Sequence, residues 1–435
     1  MTKLTSREII DLNKEYTFYS WSNQSQVNPI PMDRAEGPYF WDVDGKRYLD
    51  FASQLVNTNV GHQHPKVVKA IQDQAAKLTF ASPGMATEPR GLLGKKLAEI
   101  TPGDLKKTFF TLGGAEANEN AIKIARFYTG RHKILARYRS YHGATHGAMA
   151  LTGDYRRLPA EPAISGVVHF LDPYCYRCPF GWTKETCHRE CISHVEEVIQ
   201  HEGPDQIAAI FLEGVTGTNG LIIPPDDYWP RMREICDKYG ILLISDEVMS
   251  GWGRTGEWFA VDNWNVVPDI ITTAKGITSG YVPLGAVIVR EKIARFFDDK
   301  VLYAGLTYNG HALACAAALA TIEAYEEDKV FENAKKVGKH LGKRLEDLKA
   351  KHPSVGDVRY IGMFSALELV KNRQTKEPMD LTSLKNFMVA NGVYVFNFKN
   401  ILFVVPPLVI TEEQLDEGLN LLDEGLAELM DKLVS

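Results

Sequence analysis

No apolar run in this chain reaches the ~18 residues that a membrane-spanning helix requires. Residues 1–25 are polar and aromatic, with no secretory-signal core, so a cytoplasmic protein that meets no membrane is expected. Basic charge is also short. The 49 Lys and Arg stand against 55 Asp and Glu, a net charge of −6, which leaves no basic face for nucleic acid. Repeats and low-complexity linkers are absent. So is a G-x-G-x-x-G turn, because Gly113-Gly-Ala-Glu-Ala-Asn118 does not form one, and that argues against a dinucleotide-binding dehydrogenase. Cysteine is scarce, with 6 in 435 residues, and four of them fall in Cys175-Tyr-Arg-Cys178 and Cys187-His-Arg-Glu-Cys191. A zinc ribbon separates its two pairs by more than the eight residues found here. The insert is also aromatic and Pro-rich (Pro173, Tyr174, Tyr176, Pro179, Phe180, Trp182). A packed structural loop is therefore expected rather than a zinc site, with no metal, and disulfides are not expected in a reducing compartment.

What is present is an ordinary globular composition, 45% hydrophobic and 24% charged, able to bury a large core. Short apolar runs alternate with amphipathic ones. Residues 3–20 read as a helix, and Tyr39 to Asp50 as a hairpin turning at Asp44-Gly45. A helix opens at His64-Pro65 and runs to about Lys77. Strand Lys107–Leu112, the break Gly113-Gly114-Ala115 and helix Glu116–Tyr128 form a phosphate cradle, although two glycines could equally be a tight turn. Strands follow at Lys133–Arg137, Gln206–Leu212, Ile241–Ile244 and Asp269–Ala274, with a helix at Asp226–Lys238. This βαβ spacing predicts a large, mostly parallel, doubly wound α/β sheet. Further on come the Ala-rich helix Ala312–Tyr325, a charged helix to about Lys351, and strand Val358–Leu369. Helix Leu381–Ala390, strands Val393–Phe396 and Ile401–Val405, and a last helix from Glu412 to about Leu433 complete the chain. The expected division is a large domain over 56–320 and a smaller α/β domain built from both ends, 1–55 and 321–435.

The chemistry concentrates between Ile241 and Lys275. A buried strand ends on Ser245-Asp246-Glu247-Val248, and a second ends on Lys275-Gly276. Open α/β sheets bind ligands at the carboxyl ends of their strands. A carboxylate and an amine there suit pyridoxal phosphate: the acid keeps the ring nitrogen protonated and the lysine forms a Schiff base with the aldehyde. Gly276 would leave room beside the amine. The bland alternative is a pair of solvated charges at strand ends.

Ile244-Ser-Asp-Glu-Val-Met-Ser-Gly-Trp-Gly-Arg-Thr-Gly256 followed by Pro268-Asp-Ile-Ile-Thr-Thr-Ala-Lys-Gly276 resembles the signature of the class III aminotransferases, fold-type I pyridoxal-phosphate enzymes. The resemblance covers nearly the whole chain. It is strongest to ω-amino acid aminotransferases, and Tyr174-Cys-Tyr-Arg-Cys-Pro-Phe180 is similar to their taurine-using branch. The resemblance implies that Lys275 carries the cofactor and that Asp246 pairs with its ring nitrogen. Val248 and Tyr141 would cover the two ring faces, Gly114 and Ala115 would hold the phosphate, and Glu213 would be the acid near the ring. Thr307 would reach the phosphate of a partner subunit, which implies a homodimer with shared sites and leaves larger assemblies open. Trp21 would line the substrate pocket.

Two departures stand out. Relatives that handle 2-oxoglutarate with an arginine gated by a glutamate carry them where this chain has Phe403 and Thr218. Arg156 or Lys399 is then the expected reader of the substrate's anionic end. Met249 stands where some relatives hydrogen-bond the ring hydroxyl, and its sulfur accepts only weakly. The expected activity is ping-pong transamination from a small ω-amino acid, taurine first, to an oxo acid, 2-oxoglutarate before pyruvate. The products would be sulfoacetaldehyde and glutamate. β-Alanine, γ-aminobutyrate or a diamine are alternative donors, and a same-fold decarboxylase, racemase or aminomutase is a more distant possibility.

Overall fold

The computed structural model describes residues 4–435. The first helix occupies Ser6–Tyr16, shorter than 3–20, and Lys3 lies outside the described residues. Its start is fixed by Thr5, whose hydroxyl accepts from the Glu8 backbone while Glu8 reaches back to the Thr5 amide, a capping box.

Seven strands form the central sheet, in the spatial order Leu105–Thr111, Gly285–Arg290, Ile270–Thr273, Leu242–Asp246, Ile207–Glu213, Lys133–Arg137, Val167–Phe170. Every residue of Ile207–Glu213 and Leu242–Asp246 is buried, which is why these read as unbroken apolar runs rather than alternating ones. Gly285–Arg290 pairs antiparallel with both of its neighbours, and the remaining pairs are parallel. Neither Gly285–Arg290 nor Val167–Phe170 is apparent in the sequence reading. A second sheet joins Met32–Glu36, Tyr39–Asp42 and Arg47–Asp50 to Val393–Tyr394, the last pairing parallel with Leu49 and Asp50. A third contains Val355–Ile361, Phe364–Asn372, Ile401–Val404 and Asn397–Phe398.

The strand expected over Val358–Leu369 is two strands folded back at Gly362, whose φ is +58°. The last helix is regular only over Glu412–Gly425 and continues as irregular turns to Leu433. The signature arginine, Arg254, is fully buried and fastens distant segments. Its Nη2 donates to Ser53 Oγ at 2.9 Å and Asn59 Oδ1 at 2.7 Å, and its Nη1 donates to Pro406 O at 2.5 Å.

The four clustered cysteines are free thiols lining one cavity of about 20 Å³. Burial and the neighbouring sulfurs push the Cys191 thiol up to about 12. Among the described residues no group of three or more His, Cys, Asp or Glu is arranged to hold a metal ion. The cysteine loop is tied instead to the third sheet, where Tyr174 Oη and Arg177 Nε both donate to the buried Glu368. No described helix is long and apolar enough to cross a membrane.

Candidate active site

A cavity of about 630 Å³ opens at the carboxyl ends of the central strands. Its walls include Leu112 to Ala115, Asn118, Tyr141, His142, Glu213, Asp246, Val248 and Lys275. The topology explains the convergence. Parallel strands deliver Glu213 and Asp246 at their last residues, side by side in the ladder, and Lys275 follows two residues after Thr273.

Asp246 is buried, and three donors hold it. Val248 N donates to Oδ1 at 3.0 Å, Asn118 Nδ2 to Oδ2 at 2.8 Å, and His142 Nδ1 lies 2.7 Å from Oδ2. A buried carboxylate with this many donors is compensated for its lost hydration. The other His142 nitrogen, Nε2, is buried without a partner, so the proton belongs on Nδ1, facing the carboxylate. Asn118 also bonds the His142 carbonyl at 2.7 Å, which locks the two together. Neither residue stands out in the sequence by itself. His142 stands beside Tyr141 in Tyr-His-Gly, and Asn118 lies on the inner face of the helix Gly114–Thr129; those were the available signals.

Lys275 adopts φ +49°, a left-handed conformation that costs a side-chain-bearing residue of order 1 kcal/mol and tends to occur at functional sites. Desolvation lowers its proton affinity, with Asp246 and Glu213 opposing that effect. Glu213 is itself pushed up by burial, and it accepts from Tyr141 N at 3.1 Å and Gly217 N at 2.6 Å. The room left by Gly276 serves Trp252 and Asn59 rather than the amine, since a Cβ there would stand 2.5 Å from Trp252 Cβ and 2.7 Å from Asn59 Nδ2.

Gly114 and Ala115 begin the helix Gly114–Thr129 and line the cavity with free backbone N–H groups, the usual anion-binding end of a helix. A Cβ on Gly114 would lie 2.9 Å from the Val248 methyl groups, so the glycine lets this turn close against Val248. Tyr141 meets Trp21 edge to face at 5.9 Å, and burial raises its phenol pKa. Trp21 is exposed yet also lines the cavity.

Of the two candidate cations, Arg156 lines the cavity; Lys399 stands outside the lining, 5.6 Å from the Tyr155 ring. The Arg156 guanidinium lies 4.0 Å over Tyr141 and donates to Thr218 Oγ1 at 3.0 Å. Phe403 is fully buried and stacks on Phe396 at 4.4 Å, and Phe396 in turn faces the cavity. Met249 lines the cavity close to Gly217. Thr307 is exposed on a turn and is not among the residues lining its own chain's cavity.

These residues fit pyridoxal phosphate. A held carboxylate, an amine with depressed proton affinity and a helix start with a glycine cradle meet in one cavity. The comparisons with known proteins point the same way. The family model described as Aminotransferase class-III matches residues 20–426. The leucine/methionine racemase of Thermococcus litoralis is 40% identical over 409 residues, 92% of this chain and 91% of that protein. The taurine–pyruvate aminotransferase of Bilophila wadsworthia is 36% identical over 451 residues, 98% of each. The crystal structure of taurine:2-oxoglutarate aminotransferase from Bifidobacterium kashiwanohense, in complex with PLP and glutamate, is 44% identical. It superposes with a TM-score of 0.96 across 100% of both chains.

Proposed function

Because this chain belongs to the class III aminotransferases, pyridoxal-phosphate-dependent transaminases, we propose that it moves the terminal amino group of taurine to an oxo acid, 2-oxoglutarate before pyruvate. The observation that carries the choice of an anionic donor is Arg156, the one arginine among the described residues lining the cavity and, with Lys275, its only strongly basic side chain. The taurine-acting proteins among the relatives support the same choice. A guanidinium gives a sulfonate or carboxylate a charge-assisted hydrogen bond, and among the described residues Arg156 keeps Nη1 without an acceptor for it.

The bound cofactor supplies an electron sink; the protein orients the reactants and moves the proton. Asp246, fixed by Asn118, His142 and Val248 N, presents one negative charge to the protonated ring nitrogen. Lys275 Nζ, with its affinity for protons lowered by burial, takes the proton from the amino-bearing carbon of the donor and returns it on the acceptor's side, because a base works best with a pKa near ambient pH. Tyr141 and Val248 would cover the two faces of the ring, and Gly114 and Ala115 would hold the phosphate by their N–H groups. The donor leaves as sulfoacetaldehyde and the acceptor as glutamate.

The test is a panel of taurine, β-alanine, γ-aminobutyrate and putrescine, each with 2-oxoglutarate and with pyruvate. Arg156→Lys should lose about 1.5–3 kcal/mol of taurine recognition, roughly tenfold to a hundredfold in kcat/KM, while cofactor absorbance stays normal. An equal loss on an uncharged amine of similar length would remove Arg156 from anion recognition. Amino-acid racemisation without an oxo acid would favour the activity named for the Thermococcus relative instead.

We also propose a homodimer in which the exposed Thr307 of each chain reaches the phosphate bound by the other. Thr307→Ala should weaken cofactor retention. Mixed with Lys275→Ala it should recover activity, because one hybrid site then carries both native residues. Subunit exchange shown by mass spectrometry with no recovered activity would exclude the shared site.

A further inference from the structure

We propose that Asp154 sets how strongly the site takes an anionic substrate, by competing with the substrate's anionic end for the Arg156 guanidinium. This rests on the reading of Arg156 as the anion receptor.

Asp154 occupies one edge of that guanidinium. Its Oδ2 accepts from Arg156 Nε at 2.9 Å and from Nη2 at 2.5 Å, and its Oδ1 accepts from Nε at 3.1 Å. Both side chains are nearly out of solvent, 8% and 10% exposed. Oδ1 has a second duty: it accepts from the Arg156 backbone N at 2.9 Å and so caps the short helix Tyr155–Ala160. Asp154 therefore stays in place when another anion arrives. Nη2 is further engaged by Thr218, and the guanidinium plane lies over Tyr141. Among the described residues no acceptor is bonded to Nη1. One end of a fixed, already half-neutralised cation is thus left for the substrate.

Two carboxylate-like groups on one guanidinium repel each other, and the repulsion is strong where water is excluded. The anion's affinity is accordingly held down, and a substrate with no anionic end meets no uncompensated charge. Asp154 does not line the cavity, so it acts through Arg156 as a positioning and specificity-determining residue.

The probe is ethanesulfonate, which is taurine without its amine, used as a competitive inhibitor of the holoenzyme against the best donor of the panel. Asp154→Asn keeps an oxygen for the helix cap and removes the charge. Its Ki for ethanesulfonate should fall about tenfold, the order of one charged hydrogen bond, whereas Arg156→Lys should raise it. If Asp154 merely scaffolds Arg156, the loosened guanidinium binds worse and the Ki of Asp154→Asn rises. An unchanged or raised Ki there, with Arg156→Lys also raised, overturns the competition alone. A Ki unmoved by Arg156→Lys overturns the Arg156 reading and the competition with it. Asp154→Ser, which also offers a capping oxygen, repeats the measurement should the asparagine variant fold poorly, and is judged by the same outcomes.

Discussion

Replacing Lys275 with alanine abolishes transamination and removes the visible absorbance of the lysine-bound cofactor. Among the described residues Lys275 is the only lysine lining the cavity, so no neighbouring amine can take over. Burial has already lowered its proton affinity, which leaves Nζ free to react as a nucleophile and as a base. Alanine at this position must still adopt φ +49°, so the backbone strain is common to both proteins and contributes nothing to the difference in stability between them. Borohydride reduction of the wild-type enzyme followed by peptide mapping should find the reduced cofactor on Lys275. A label on another lysine, or measurable turnover by the alanine variant, refutes the assignment.

Asp246→Asn should keep the cofactor attached and lower the proton-transfer rate by orders of magnitude, because a neutral amide no longer favours a cationic ring. The structure adds a second loss. Both carboxylate oxygens accept hydrogen bonds, Oδ1 from Val248 N and Oδ2 from Asn118 and His142. An amide must aim its NH₂ at one of these donors. Facing His142, the clash is relieved if the imidazole proton moves to Nε2, but Nε2 has no partner, and Asn118 Nδ2 still meets a donor. An unsatisfied buried polar group costs about 1–3 kcal/mol. Single-turnover decay of the cofactor absorbance on mixing with the donor isolates this step, and a near-normal rate would show that the ring charge is set elsewhere.

Asp246 and Lys275 were legible because each ends a strand, and a buried strand announces itself as an apolar run bounded by polar residues. The parts of the site that were missed share one property: their chemistry is made by tertiary contact. His142 and Asn118 bond Asp246 across 104 and 128 residues of chain, and their local settings, beside Tyr141 and on an inner helix face, do not name Asp246 as the partner. Asp154 stands only two residues before Arg156, but the run Gly153-Asp-Tyr-Arg156 does not say that the carboxylate turns onto the guanidinium rather than to solvent. The strand Gly285–Arg290 is buried over its first five residues, but it follows Lys275 without the helix that a parallel pair needs, and it inserts antiparallel between parallel neighbours. The hairpin read as one strand turns on the two residues Gly362-Met363, and a Cβ on Gly362 would come within 2.6 Å of the Thr255 carbonyl carbon. A single glycine in an otherwise strand-like run carries little local signal.

The pairing of Val393–Tyr394 with Leu49–Asp50 has a consequence for how the molecule is made. The hairpin Tyr39–Asp50 leaves the ribosome long before Val393–Tyr394, the strand that completes its sheet. Phe51 waits as long, since its backbone N–H is taken by Tyr394 O and its carbonyl by Val405 N. Until Val393–Tyr394 emerges the nascent chain therefore carries an unsatisfied sheet edge beside Leu49 and Phe51, two side chains with no exposure in the finished protein. Exposed edges of this kind template aggregation, and contacts this far apart in sequence close slowly. The sheet thus closes only after the long intervening stretch has been made, and a nascent-chain chaperone would find its natural footprint on that hairpin.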